Sequence, residues 1–252
     1  MKFYDLTKEE RKQRTIEIQD SIRDEITSKD LNDMTLLFDH KDTYFRRAAY
    51  LAVGRIYREK PTILDDILQC LNQLFQNKSE RIRQTVINSC GEIAMNDFEC
   101  VQAFFDKGMV DHHHSVRNAV VGSLKKAGEK NPDEILPYCK VSIVSSNVEI
   151  RRLACHGLEL RGREHPEDII DILKLLQYEE NKRVKDMLIH VLGQISYKKG
   201  CLFYVSKQVE TWDNKEIYPL YKEETIEVHG RYERFSEFTQ AEVISYFETS
   251  KG

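Results

Sequence analysis

A basic residue directly follows an apolar one at Phe45-Arg46, Ile82-Arg83, Val116-Arg117, Ile150-Arg151 and Val184-Lys185, at steps of 37, 34, 34 and 34 residues. A period of this size constrains the fold more than composition does. A unit so short holds two helices, cannot bury its apolar faces alone, and must stack on copies of itself. The period extends outward from each basic residue. Three positions on stand Ala49, Val86, Val120, Ala154 and Leu188, and seven on stand Val53, Cys90, Leu124, Leu158 and Leu192. Ten on stand Ile56, Ile93, Ala127, Arg161 and Ile195, where only Arg161 is polar. Spacings of three and four place these residues on one face of a helix.

Fifteen positions on, Pro61, Phe98, Pro132, Pro166 and Gly200 mark the boundary to the next helix, because proline is tolerated in a first helical turn. The stretches from each proline to the following basic residue are apolar at helical spacing, as in Ile63, Leu64, Ile67, Leu68 and Leu71. Each unit is therefore a pair of antiparallel helices. The segments "YFRRAAYLAVGRI", "RIRQTVINSCGEI" and "RVKDMLIHVLGQI" resemble the HEAT-repeat family, in which an apolar-Arg pair opens the second helix. The resemblance covers about residues 30–200. It implies an all-α fold: an α-α superhelix, or solenoid, of about six HEAT-like helical pairs. It also implies a polar residue six positions before each basic one, often Asp; here these are His40, Asn77, Asp111, Ser145 and Glu179.

The whole chain of 252 residues reads as one solenoid domain. Residues 1–29 form an N-terminal capping helix opened by Thr7 and Glu10, residues 30–200 the repeats, and residues 201–252 an irregular C-terminal cap. A helix is expected from Cys201 to about Thr211, and Thr239 caps a last one; between Trp212 and Phe238 the alternation at Thr225–His229 leaves a short strand or hairpin open. No apolar run reaches the length of a membrane span, and the N-terminus lacks the apolar stretch of a secretion signal. The six cysteines form no CxxC pair, which favours free thiols in a reducing compartment and a cytoplasmic location.

In HEAT-like arrays the second helices line the inner, concave surface. Positions one, five, eight, nine and twelve after each basic residue lie opposite the core stripe and should build that surface. These rows carry seven cations (Arg47, Arg55, Arg58, Lys125, Lys126, Arg152, Arg163) against four anions (Glu92, Glu129, Glu159, Asp186). The chain as a whole has a formal net charge of −4. A mildly basic groove on an acidic protein suits a protein partner or acidic peptide, and its expected contact residues are Arg47, Arg55, Asn88, Lys125, Arg152, His156, Arg163 and His190. His156 and His190 hold equivalent positions in adjacent repeats. At about 10 Å between packed helices they stand too far apart to share an ion, and no third ligand is evident. The run His112-His113-His114 reads as a solvated turn.

No phosphate loop, HExxH or GxSxG is present, and Cys155-His156 point apart on a helix. The expectation is a scaffold or adaptor without enzymatic chemistry, cofactor or metal. Two alternatives remain open. One is a DNA-binding protein of the HEAT-like alkylpurine DNA glycosylase type, which would need aromatic platforms that the rows supply only at Tyr197. The other is an accessory subunit or chaperone of one specific enzyme.

Overall fold

The computed structural model describes residues 2–249, and among them every regular element is helical. The chain packs as two compact units, 1–123 and 124–252. The first holds α1 (Lys8–Ser28), α2 (Asn32–Phe38), α3 (Thr43–Glu59), α4 (Leu64–Phe75), α5 (Glu80–Ala94), α6 (Gln102–Met109) and the N-terminal part of α7 (His114–Lys130). The second holds the rest of α7, then α8 (Pro132–Ser142), α9 (Val148–Gly157), α10 (Glu159–Gly162), α11 (Pro166–Lys174), α12 (Lys182–Gln194), α13 (Cys201–Glu210), α14 (Ile217–Arg231) and α15 (Gln240–Thr249).

The repeat pattern becomes the core. Every residue three, seven or ten positions after a repeat's basic residue, Arg161 excepted, is at most 1% exposed. Arg161 breaks the pattern because its helix breaks: α9 ends at Gly157 and the chain rewinds as α10, so Arg161 turns to Asp168 with its Nε 2.7 Å from Oδ2. Gly162 then fits between Ile169 and Ile195, where a Cβ would meet side-chain carbons at 2.2 and 2.8 Å. Pro132 and Pro166 open α8 and α11 from their first positions.

The recurring arginine closes the first helix of its own unit. Its Nη1 donates to the carbonyl six residues back: Arg46 to His40, Arg83 to Asn77, Arg117 to Asp111 and Arg151 to Ser145, at 2.6–2.9 Å. A helix C-terminus leaves such carbonyls without intrahelical partners, and a guanidinium satisfies them with charge of the right sign. Where the next repeat offers a carboxylate, the same side chain grips it too. Arg83 holds Asp111 through two bonds of 2.7 and 3.0 Å, and Arg151 holds Glu179 through two of 2.6 and 3.0 Å. The ladder is carboxylate-based at those two rungs.

Both ends are helical. Thr7 and Glu10 make the expected reciprocal cap of α1. Glu25, buried near the end of α1, accepts from the backbone N–H groups of Asp33 and Met34 at 2.6 Å and so caps α2, whose own N-cap residue Leu31 has no side-chain oxygen to offer. In the C-terminal segment the expected helices are α13 and α15, and residues 225–229, left open as a short strand or hairpin, lie within α14. The alternation there is helical because α14 buries Ile217, Tyr221 and Thr225 at steps of four and then Val228 and His229, three and four further on, with polar Thr225 and His229 on the inner side.

Candidate functional site on the second-helix face

In the N-terminal unit, α3 carries Arg47, Leu51, Arg55 and Arg58 at steps of four, four and three, which align on one face. Arg47 and Arg58 are exposed and Arg55 half-buried; Arg47 shares a side-chain hydrogen bond with Tyr50. Among the described residues, none of the three forms an ion pair. By helix rise the stripe is about 17 Å long. Asn88 lies half-buried on α5, which packs against α3. That packing is close at Gly54, where a Cβ would meet the Glu92 Cβ at 2.5 Å. Gly91, the equivalent glycine of the next repeat, lies against Ser123 in the same way, at 2.6 Å from its Cβ.

The C-terminal unit departs from this. At the same repeat position, eight after the basic residue, stand Lys125 and Glu159 in place of glycine, and their side chains pair at 2.8 Å. Around Glu159 a polar cluster has formed. Its Oε2 accepts from Lys125 and lies 3.2 Å from His156 Nε2 and 3.7 Å from His190 Nε2, while its Oε1 takes Arg163 Nη2 at 2.5 Å. Lys125 Nζ is also 2.8 Å from His156 Nε2. On its outer side His190 Nδ1 faces Glu224 Oε1 at 3.4 Å. Arg163 Nη2 also donates to Gln194 Oε1 at 2.6 Å, and the guanidinium stacks over the Tyr197 ring at 5.3 Å.

Burial alone would raise the Glu159 pKa, but the side chains of His156 and Lys125 against it and the charges of Lys125 and Arg163 hold it down at about 2. For His156, burial followed by the neighbouring Lys125 charge pushes the pKa below the ordinary imidazole value, against the pull of Glu159. At neutral pH the cluster thus has an ionised carboxylate and a neutral His156. A carboxylate this strongly held is a poor general acid.

The structure rearranges the expected site. Lys125, His156, Arg163 and His190 come together around one carboxylate. The two histidine rings converge to 5.8 Å with Glu159 as a third group, so the expectation that they stand too far apart, without a third ligand, is corrected. Both side chains reach across the helix spacing to Glu159. Arg152 is tied by two bonds to Glu149, which also binds Arg183, and is not available as an open cation. Within its own unit the row thus loses Lys125, Arg152 and Arg163 to internal partners, and the basic character expected there is cancelled. Tyr197 is 4% and Trp212 2% exposed, so neither offers a ring to solvent. Of the histidine run, His114 opens α7, while His112 is exposed and His113 bonds Ser115. Sequence reasoning missed Glu224 and placed Gln194 only as a member of the same rows, nine after Lys185; the break of the glycine series at Lys125 and Glu159 is the signal that marks the cluster.

No family model matches the chain, and no curated protein matches it. Solved structures do. AlkD2 from Streptococcus mutans aligns with a TM-score of 0.51 at 19% identity, covering 61% of this chain and 78% of that one. The smu.31 protein of Streptococcus mutans UA159 aligns with a TM-score of 0.52 at 18% identity, covering 68% of this chain and 96% of that one. A designed armadillo repeat protein in complex with a peptide aligns over 79% of this chain with a TM-score of 0.37 at 13% identity. The fold is a HEAT-like helical repeat. No helix among the described residues is long and apolar enough to cross a membrane.

Proposed function

We propose that the protein is a binding module without chemistry of its own, and that it takes an acidic protein segment along the α3 face of its N-terminal unit. The observation that carries this is the stripe Arg47–Arg55–Arg58, three guanidiniums on one helix face with no ion pair among the described residues. Arginine side chains left open in this way recognise carboxylates bidentately, and each desolvates at less cost than lysine. In the C-terminal unit, Lys125, Arg152 and Arg163 of the same rows have internal partners and contribute to structure instead.

A second reading, nucleic-acid binding, is favoured by the likeness of fold to AlkD2 and draws on the same arginines through phosphate contacts. The burial of Tyr197 and Trp212 speaks against stacking on bases from those positions.

One titration separates the two readings. Fluorescence anisotropy is measured with a labelled polyglutamate peptide and with a labelled DNA duplex, each at several salt concentrations. The expected result is peptide binding that weakens at least about tenfold when Arg47, Arg55 and Arg58 are all replaced by Glu, with the melting temperature unchanged. Duplex binding with a steep salt dependence, abolished by the same replacement, would establish the second reading. Binding of neither probe, or peptide binding untouched by the replacement, would overturn the proposal.

A further inference from the structure

The cluster in the C-terminal unit presents a second site, independent of the arginine stripe. We propose that His156, Glu159 and His190 bind a divalent transition metal, Zn²⁺ foremost, with the Lys125 ammonium holding the ion's place in the metal-free protein. One ligand atom from each of the three residues lies within 4.8 Å of the other two. Tetrahedral zinc with bonds near 2.0–2.1 Å sets neighbouring ligand atoms about 3.3 Å apart. The Glu159 Oε2 separations of 3.2 Å to His156 Nε2 and 3.7 Å to His190 Nε2 are close to that edge.

The contacts around the two imidazoles suit the tautomers that metal binding needs. An ammonium only donates, so His156 Nε2, 2.8 Å from Lys125 Nζ, is an acceptor with its lone pair turned into the cluster. On His190, Nδ1 lies nearer its carboxylate, Glu224 at 3.4 Å, than Nε2 does to Glu159 at 3.7 Å. With the proton on Nδ1, Nε2 and Glu159 Oε2 are two acceptors facing one another, and a cation is what reconciles them. A carboxylate behind a ligating imidazole is also the usual outer support of a zinc histidine.

A further observation points to a ligand in the cluster. Among the described residues, Gln194, 1% exposed, has an Nε2 without a hydrogen-bond partner beside Arg163, whose Nε also lacks one. Two protein histidines and one carboxylate leave a fourth position for water or an anion, which those donors would suit. Arg163 stays on Glu159 Oε1, so the metal would take Oε2. Exchanging the ammonium for a dication adds one positive charge, and Glu224 is placed to moderate it.

The test is calorimetric titration of the metal-free full chain with ZnCl₂, in a His112→Ala, His114→Ala background that removes the exposed histidines. Co²⁺ loading of the same protein reads the geometry from its visible spectrum. The expected results are uptake of one Zn²⁺ per chain and tetrahedral Co²⁺ bands. Binding should weaken at least about tenfold in His190→Ala and in Glu224→Gln. Lys125→Ala should tighten it, because a competing cation is gone. Absence of stoichiometric uptake, an octahedral Co²⁺ spectrum, or a Lys125→Ala variant that binds no better would each overturn the proposal. The spectrum needs no cluster variant, so misfolding of one cannot obscure the outcome.

Discussion

The Arg83–Asp111 pair offers the sharpest test of how repeats are joined in the N-terminal unit. Both side chains are 7% exposed, and they meet through bonds of 2.7 and 3.0 Å. Arg83 Nη1 also closes α4 by donating to the Asn77 and Lys78 carbonyls, both at 2.9 Å. Asp111 accepts from the His113 backbone N–H at 2.8 Å. Arg83→Ala removes the guanidinium donors and leaves a largely buried carboxylate with only the His113 N–H, a change worth about 3–5 kcal/mol. Asp111→Ala leaves Arg83 its two carbonyl bonds and should cost less, about 2–3 kcal/mol. The double variant buries no unpaired charge, so its cost should fall short of the sum by at least about 1.5 kcal/mol. In a chain of this length, 1 kcal/mol moves Tm by about 2–4 °C, which puts Arg83→Ala roughly 6–20 °C below the parent. Urea denaturation of the four proteins measures the coupling. A coupling below about 0.5 kcal/mol, the level of solvent-exposed pairs, would refute the argument that this rung is a buried joint.

Other expectations follow from the same structure. Stability should fall with pH in two stages. His156 and His229 have pKa values lowered by burial, so the unfolded chain takes up their protons first, and stability declines as pH drops below about 6.5. Glu159, Asp111 and Glu179 have lowered pKa values, so their contribution is whole above about pH 4.5 and is lost as pH falls below it, towards 2 for Glu159. Denaturation midpoints across pH 2–8 check this, and a flat profile between pH 7 and 5 would remove the histidine stage. Gly91→Ala should destabilise by about 1–3 kcal/mol, since its Cβ would meet Ser123 Cβ at 2.6 Å, while the exposed Gly122, with open space around it, should gain up to about 1 kcal/mol from Ala. Glu25→Ala should cost about 1–2 kcal/mol through the lost cap of α2, read as a lower urea midpoint. Glu25→Gln retains an acceptor and should cost less.

The sequence alone determined the architecture, because stacking repeats must bury the same positions every 34 residues and the burial period is written directly in residue type. The recurring arginine was legible only as the mark of the period, its bond to the carbonyl six residues back coming from the structure; the proline boundaries and the Thr7 cap were legible because each acts within a few residues of itself. The α14 segment was not, since its inner face carries Thr225 and His229, whose burial depends on neighbours far along the chain. The cluster around Glu159 was legible only as separate members of rows. Only tertiary structure could decide that Lys125 and Arg163 turn inward to a carboxylate while Arg47, Arg55 and Arg58 form no ion pair among the described residues, because a side chain's charge is cancelled or left available by what lies within a few ångströms in space.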